Sequence, residues 1–387
     1  MSAVASVPID GACDTRFAAV REAFVNNFAQ HGEIGAAAAL FVGGRKVVDL
    51  WGGWADRGRT RPWAEDTLVN FYSIGKAITA TCVLLLVQRG LLDLDQPVTR
   101  WWPEFGAAGK EAVTPRQLMS HRGGMPAIRE RLPAGAMLDW DRMTEALAAQ
   151  APWWTPGEAH GYHVNTFGYL LGEPARRAAG MTLGTLLRQD IAGPLDADVY
   201  IGLPQAEHGR VADFLHPQRA APAAGAAPPA APRLPTTEID LMRVLTYGNP
   251  PGVSGVAEYV NTAAWRMAEI PSTNGHGNAR GVARIYRALL DGLIDADLLG
   301  EATSEHSHGL DLILDRPSRF GLGYQLTQAE RPLGPNPRAF GHFGAGGSLG
   351  FCDPDAQVAF GYVMNDMGPR WQNPRNGALI DAIYRSL

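Results

Sequence analysis

Apolar positions follow a helical period near the start of the chain and the alternation of a strand near its end. Residues 16–30 repeat their apolar side chains with helical spacing, which predicts an amphipathic helix. Two apolar runs in residues 35–50 flank Gly43-Gly44, a pair typical of a hairpin turn. Residues 74–88 are mostly apolar and predict a helix that ends before Gly90.

The middle of the chain predicts helices and loops, and the last part predicts strands. Further helices are expected at 114–120, 141–149, 168–180, 182–192, 279–290 and 378–387. Consecutive antiparallel strands are expected at 321–326, 340–343, 348–353 and 358–365. The layout predicts a fold of the α+β or α/β class, with an antiparallel sheet built from both chain ends, flanking helices and a mostly helical lobe.

The same layout predicts two domains, in line with about 150 residues per domain. Residues 1–80 and 270–387 form a discontinuous α/β sheet domain, and residues 81–269 form a mostly helical domain. Within the latter, residues 219–235 are low-complexity Ala/Pro/Gly sequence, which predicts a surface loop or linker.

Composition and charge exclude several classes of protein. A hydrophobic content of 46% with 19% charged residues is typical of a globular chain. The net charge of −5 and the lack of a basic run argue against a nucleic-acid partner. Three widely spaced Cys fit neither a disulfide framework nor a zinc site. With no signal-peptide pattern and no apolar run near the ~20 residues of a membrane span, we expect a cytoplasmic protein without membrane, metal or cofactor.

Lysine is scarce in this chain. Of 34 basic residues only three are Lys, so 31 are Arg. A desolvated Lys can lose its proton and act as a base, whereas Arg cannot. Lys46 in the predicted hairpin and Lys110 in a Gly-rich loop are expected to face solvent, which leaves Lys76 as the candidate base.

Ser73 and Lys76 form an S-x-x-K motif at the start of the predicted apolar helix. With 11 Ser and three Lys in the chain, roughly 0.09 chance matches are expected. Residues i and i+3 share a helix face, so the amine can reach the hydroxyl, and the helix N-terminus favours a developing oxyanion. The alternative is a helix-capping Ser followed by an exposed Lys.

Tyr162 lies in a loop just before the predicted helix of residues 168–180. Near a cationic Lys, a Tyr can act as a phenolate or as a proton relay. The alternative is an ordinary core Tyr.

Taken in order, Ser73-x-x-Lys76, Tyr162 and the Gly-rich segment 341–347 resemble the serine β-lactamase and penicillin-binding-protein superfamily. Within it, the chain resembles the class C β-lactamase-like carboxylesterases known as family VIII. The likeness covers most of the chain outside the Ala/Pro-rich segment. Its supporting stretches are 71–102, 114–126, 153–172 and 340–367.

Two departures from the β-lactam-recognising members bear on the substrate. Their Lys-Thr-Gly triad is absent, because no Lys follows Lys110, and His342-Phe343-Gly344 occupies its place. Val164 stands where the Tyr-x-Asn element has Asn. A His anchors an anion less well than a Lys at neutral pH. The resemblance therefore implies an esterase for small or short-chain carboxylic esters.

The resemblance also implies roles for residues. Ser73 is the nucleophile, and Lys76 with Tyr162 is the general base. The backbone N–H groups of Ser73 and Ala345 hold the oxyanion, next to the strand motif His342, Phe343 and Gly344. The aromatic candidates for an apolar substrate pocket are Trp153, Trp154, Phe343 and Phe351, with core packing as the alternative for each.

Two further motifs are interpreted as structural. Ser348 lies in a G-x-S-x-G sequence, but a strand rather than a helix is predicted after it and no His follows. His306 and His308 form an H-x-H without a further ligand, so a polar loop is expected there.

The alternatives for function are a β-lactamase, amidase, peptidase or acyltransferase on the same site, and a non-catalytic binding protein with this fold.

Overall fold

The computed structural model describes residues 7–217, 235–251 and 257–387, so the predicted loop at 219–235 lies outside the described residues except for Pro235. The strands are β1 (Ile9–Cys13), β2 (Gly35–Val42), β3 (Arg45–Gly53), β4 (Val69–Asn70), β5 (Val199–Tyr200), β6 (His276–Gly277), β7 (Ser307–Asp311), β8 (Arg316–Phe320), β9 (Gln325–Leu326), β10 (Phe340–Phe343), β11 (Leu349–Asp353) and β12 (Val358–Met364). The helices are α1 (Ala18–Gln30), α2 (Ile74–Gln88), α3 (Pro115–Met119), α4 (Trp140–Ala149), α5 (Phe167–Ala179), α6 (Leu183–Leu186), α7 (Glu238–Gly248), α8 (Ala257–Val260), α9 (Ala263–Met267), α10 (Ala279–Leu290), α11 (Ala296–Ala302) and α12 (Pro374–Ser386). None of the helices in the described ranges has the length and hydropathy needed to cross a bilayer.

One nine-stranded sheet contains strands from both ends of the chain, in the order β1-β3-β2-β12-β11-β10-β9-β8-β7. Every pairing in it is antiparallel. Gly43 and Gly44 connect β2 to β3 with φ of 56° and 77°, the left-handed values that a two-residue hairpin turn requires. The expected fold class is confirmed. The domain boundaries near residues 80 and 270 stay a prediction.

Helices pack against both faces of this sheet. Successive side chains of a strand point to opposite faces, so each strand contributes residues to both contacts. At Gly361 on β12, an added Cβ would lie 2.2 Å from the carbonyl oxygen of Ala279, so this glycine lets α10 approach the strand. The next side chain, Tyr362, points the other way and its hydroxyl donates to buried Glu33. Glu33 also pairs with Arg375 of α12 at 3.2 Å. The sheet is therefore the middle of three layers.

Helix α2 is the most deeply buried helix segment next to this sheet. Every residue from Ile74 to Leu86 is buried, and α2 packs against α5 and β10. A second, three-stranded sheet in the order β4-β6-β5 leads the chain into this helix. Immediately after β4, the N–H of Phe71 donates to the carbonyl of Gly275 at 2.9 Å. These contacts fix where α2 begins.

The far edge of the large sheet differs from the prediction. β7 and β8 form strands where no strand was expected, and residues 321–324 form a turn instead of continuing a strand. The segments Ser307–Asp311 and Arg316–Phe320 contain no β-branched residue, and Pro317 weakens the local strand signal. Pairing in the tertiary structure, rather than local propensity, makes them strands.

The expectation that Lys110 faces solvent is wrong. Its side chain is buried, and Nζ donates to the carbonyls of Ala107 at 2.6 Å, of Ala148 at 3.0 Å and of Gln150. Ala148 and Gln150 are at the C-terminal end of α4, where carbonyls lack partners within the helix and favour a cation. Burial lowers the pKa of Lys110 to about 8. Lys110 is thus a helix-capping residue.

We predict that Lys110→Met lowers the free energy of unfolding by about 2 kcal/mol, because three carbonyls lose their charged donor. Lys46→Met is the matched control, since Lys46 is exposed and its partner Asp49 keeps an ion pair with Arg280 at 3.0 Å, so a loss of about 0–1 kcal/mol is expected. Urea denaturation of both variants measures the difference. Equal destabilisation by the two substitutions would contradict the capping role.

Candidate active site

Ser73 lies at the junction between β4 and α2. It occupies the N-cap position of α2, is half-buried, and follows Tyr72, whose φ of 52° is left-handed. A left-handed φ is unfavourable for a bulky residue and turns the chain sharply into the helix. Among the described residues, the N–H of Ser73 has no protein acceptor. The site therefore combines a hydroxyl with a free donor at a helix N-terminus.

Lys76 lies one turn further along α2, with its amine directed at Ser73. Its side chain is 0% exposed, and Nζ lies 3.3 Å from Ser73 Oγ, 2.7 Å from the Val164 carbonyl and 3.1 Å from the Ser272 carbonyl. A neutral amine has two N–H donors and one lone pair. The two carbonyls take the donors, which leaves the lone pair for the Ser73 hydroxyl proton.

Burial lowers the pKa of Lys76 well below its ordinary value. No carboxylate within the described ranges forms an ion pair with it that would stabilise the ammonium form. Lys76 thus contacts the Ser73 hydroxyl, and its lowered pKa favours the neutral amine that a general base requires.

The two carbonyls that hold Lys76 come from distant parts of the chain. Val164 follows Tyr162 in the loop before α5, and Ser272 precedes β6. Ser272 also accepts a hydrogen bond at Oγ from the N–H of Gly168, in the first turn of α5, at 2.6 Å. The Lys76 amine therefore joins α2, the Tyr162 loop and the segment before β6. The sequence offered no signal for Ser272, because its contacts depend on the tertiary fold.

Tyr162 is buried next to this amine. Its ring centroid lies 4.7 Å from Lys76 Nζ, and the ring stacks on Phe320 at 5.8 Å. Burial raises the pKa of Tyr162, and a hydrogen bond with Ser73 lowers it only in part. Tyr162 is therefore a protonated phenol at neutral pH. This state suits a proton relay and disfavours the phenolate form.

Asp311 at the end of β7 holds Tyr162 in place. Both carboxylate oxygens accept from the N–H of Tyr162, at 3.0 and 3.1 Å. This buried carboxylate also accepts from the N–H groups of Ile313 and Leu314 and from the Ser318 hydroxyl. Sequence reasoning missed this role, since 149 residues separate Asp311 from Tyr162 and no local motif links them.

The histidines around Tyr162 are neutral. His121 contacts the Tyr162 ring at 4.9 Å and accepts at Nδ1 from the N–H of His163. His163 accepts at Nε2 from the N–H of Met125 and donates through Nδ1 to the Gly161 carbonyl. Burial lowers the pKa of His163 to about 3 and that of His121 well below its ordinary value. Both rings therefore pack and hydrogen-bond without adding charge near Lys76.

The predicted strand motif lies on β10 and in the turn after it. His342 is 0% exposed and hydrogen-bonds through Nδ1 to the Phe343 carbonyl, while Nε2 has no protein partner among the described residues. Burial lowers the pKa of His342 well below its ordinary value, so it is neutral. Gly344 donates to the Ser348 carbonyl at 2.7 Å. Half-buried Ala345 follows, and its N–H has no acceptor in the described part of the chain.

Ser348 connects this turn to the segment that carries Ser73. Its side chain is 1% exposed, and Oγ donates to the Phe71 carbonyl at 2.8 Å. A hydroxyl buried in this way is not available to a substrate. The bond instead sets the distance between the Ala345 turn and the start of α2. Ser348 is therefore a positioning residue, which the sequence motif alone did not indicate.

The aromatic candidates for a substrate pocket separate into two groups. Trp153 and Trp154 are half-buried in the apolar cluster around Tyr162, which also contains Met242 and Ile313. Phe351 is 0% exposed and packs against Phe360 in the main core. It offers no surface to a substrate, so its expected role in binding is corrected to core packing.

The H-x-H sequence is part of the sheet edge and not of a polar loop. Ser307 begins β7, and the His306 ring contacts the Glu301 carbonyl at 3.0 Å. Among the residues that the structure covers, no group of three or more His, Cys, Asp or Glu is arranged to hold a metal ion.

Comparisons with known proteins all indicate the same family. The family described as Beta-lactamase matches residues 20–385. The Mycobacterium tuberculosis protein named Esterase/beta-lactamase LipL is 37% identical over 365 residues, or 92% of this chain and 82% of that protein. The crystal structure of a family VIII carboxylesterase is 41% identical, with a TM-score of 0.88 over 98% of this chain and 100% of that one. A penicillin-binding protein homolog from Caulobacter crescentus is 41% identical over the same shares, with a TM-score of 0.87.

We predict that Lys76→Arg slows labelling of Ser73 by a fluorophosphonate about 10²- to 10⁴-fold, because a permanently charged guanidinium cannot take the hydroxyl proton. Lys46→Arg is the matched control, and its labelling rate is expected to equal that of the parent. Time-resolved gel fluorescence measures both rates. An unchanged rate for Lys76→Arg would contradict the assignment of Lys76 as the base.

Proposed function

The chain belongs to the beta-lactamase family, and on that premise we propose that it is a carboxylesterase, a serine hydrolase that cleaves small or short-chain esters through an acyl-enzyme on Ser73. The observation that carries the proposal is the contact of Ser73 Oγ with the buried Lys76 amine at 3.3 Å. The similarity to a M. tuberculosis protein named as an esterase and to a family VIII carboxylesterase supports the same activity.

Acylation starts with attack of Ser73 Oγ on the ester carbonyl carbon, while its proton passes to Lys76 Nζ. The carbonyl electrons move to oxygen, where the free N–H groups of Ser73 and Ala345 stabilise the oxyanion. Collapse of this intermediate breaks the bond to the alcohol oxygen. The proton held by Lys76 reaches that oxygen through the Tyr162 hydroxyl, and the alcohol leaves.

Deacylation repeats these steps with water as the nucleophile. Water attacks the acyl carbon, and its proton passes through Tyr162 to Lys76. The second oxyanion forms in the same position and collapses with Ser73 as the leaving group. Ser73 regains a proton from Lys76, which returns to the neutral amine.

The neutral state of His342 favours an ester over a β-lactam. A β-lactam carries a carboxylate next to the scissile amide, and the strand Lys that binds it in the family is replaced here by a buried, neutral ring. The β-lactamase alternative keeps one specific support, because the M. tuberculosis relative is named both esterase and β-lactamase. Turnover of a chromogenic cephalosporin at a rate that rivals the ester would favour it.

The apolar cluster around Tyr162 supports a substrate with a short apolar chain. Trp153 and Trp154 supply half-buried aromatic surface there.

The proposal includes a small-molecule ester as the partner, no nucleic acid and a cytoplasmic location. The three free cysteines, Cys13, Cys82 and Cys352, support a reducing compartment.

We predict that Ser73→Ala lowers kcat/KM for p-nitrophenyl butyrate at least about 10³-fold, since it removes the nucleophile. Ser348→Ala removes one positioning hydrogen bond and is expected to lower it by about tenfold or less. Mass spectrometry of the protein quenched during turnover is expected to place a butyryl group on Ser73. Loss of activity confined to Ser348→Ala, or an adduct on Ser348, would contradict the proposal.

A further inference from the structure

Two arginines, Arg316 and Arg331, lie on the ring of Trp371 and are called here the arginine cluster. Arg316 begins β8, and Arg331 lies between β9 and β10. In the part of the chain that the structure describes, neither of them forms an ion pair. This concentration of positive charge contrasts with the net charge of −5 for the whole chain.

Aromatic rings, rather than carboxylates, surround the cluster. The Arg331 guanidinium lies 3.8 Å from the ring centroid of Phe343 and 5.3 Å from that of Trp371. Arg316 lies 4.0 Å from the same Trp371 ring, and its buried Nε has no hydrogen-bond partner among the described residues. Arg331 donates only a long bond of 3.4 Å, to the Arg370 carbonyl. The guanidinium donors are therefore held in place but largely unused.

The charge of the cluster acts on two residues of the proposed site. Burial raises the pKa of Tyr162, and the charge of Arg331 offsets part of that rise. Burial is the main cause of the lowered pKa of His342, and the charge of Arg331 lowers it further. Phe343, which Arg331 covers, is two residues before Ala345 on the proposed oxyanion turn. Arg331, Phe343 and Phe320 line one small cavity, and the Phe320 ring stacks on Tyr162, so the cluster lies on the Tyr162 side of the proposed active site.

The nearby carboxylates are engaged elsewhere. Asp311 accepts from backbone N–H groups and Ser318, Asp315 pairs with Arg243 at 2.8 Å, and Asp366 pairs with Arg375 at 3.0 Å. Two neighbouring cations that form no ion pair repel each other, and an anion that binds between Arg316 and Arg331 relieves this repulsion. Guanidinium groups match a carboxylate through paired hydrogen bonds.

We propose that the arginine cluster binds a carboxylate of the substrate, so that the preferred esters are anionic, such as monoesters of dicarboxylic acids. This inference rests on the proposed esterase function and names its substrate class. The two side chains come from separate segments, β8 and the connection between β9 and β10, and the shared Trp371 ring holds them in place.

Matched pairs of esters test the proposal. p-Nitrophenyl hemisuccinate differs from p-nitrophenyl butyrate by a carboxylate in place of the terminal methyl group of the acyl chain. 4-Butyryloxybenzoate differs from phenyl butyrate by a carboxylate on the alcohol side. We expect kcat/KM to be about tenfold or more higher for the anionic ester of at least one pair, and this preference to fall as salt is added.

Arg331→Met and Arg316→Met are expected to raise KM for that anionic ester about tenfold more than KM for its neutral partner, with little change in the ratio of the two kcat values. Arg338→Met is the control, since this exposed arginine of the same connection between β9 and β10 pairs with Asp355. Equal kinetics of the wild-type protein on both members of each pair, or an equal effect of Arg331→Met on charged and neutral esters, would overturn the anion site.

The wild-type measurement separates this inference from the proposed function. Turnover of the neutral ester without a preference for charge overturns the arginine cluster and leaves the esterase proposal intact. Absence of turnover with every ester, with no labelling of Ser73, counts against the esterase itself. If the arginine variants fold poorly, the salt dependence of wild-type KM for the anionic ester still decides the question.

Discussion

The site depends on one buried amine that is kept neutral. Lys76 has no exposed surface and no acidic partner among the described residues, and its ligands are two backbone carbonyls and the Ser73 hydroxyl. Carbonyls orient the amine without the full charge that would hold it as an ammonium. An acidic side chain in place of either carbonyl would stabilise the ammonium form of Lys76, and the amine could then no longer act as a base. The surrounding structure therefore serves to bury the amine and to keep negative charge away from it.

The fold meets this requirement with neutral contacts near the amine and charges further out. α2 is apolar and buried, while His121, His163 and His342 pack nearby as neutral rings. Asp311 is turned towards backbone N–H groups, and Ser348 joins the Ala345 turn to Phe71, two residues before Ser73. The arginine cluster places positive charge beside Phe343, without contacting the Lys76 amine.

Local patterns predicted a large part of this arrangement. Helix α2, the β2–β3 hairpin and β10 follow from periodicity and glycine position, and the Ser73–Lys76 pair follows from its spacing within one helix turn. Long-range contacts could not be predicted from local sequence patterns. Asp311 reaches Tyr162 across 149 residues, Lys110 is buried by carbonyls of α4, and β7 and β8 are strands because of their pairing. The domain boundaries and the catalytic roles stay predictions.

The scarcity of lysine makes the central claim directly measurable. With three Lys in the chain, a sample labelled with ¹³C at lysine Cε gives three resonances, and the Lys76→Arg variant assigns the relevant one. A pH titration followed by NMR then reads the pKa of the Lys76 amine in the folded protein. The account predicts a value well below the ordinary ~10.4 of lysine. A Lys76 resonance that titrates at or above that value would contradict the neutral amine and with it the proposed base.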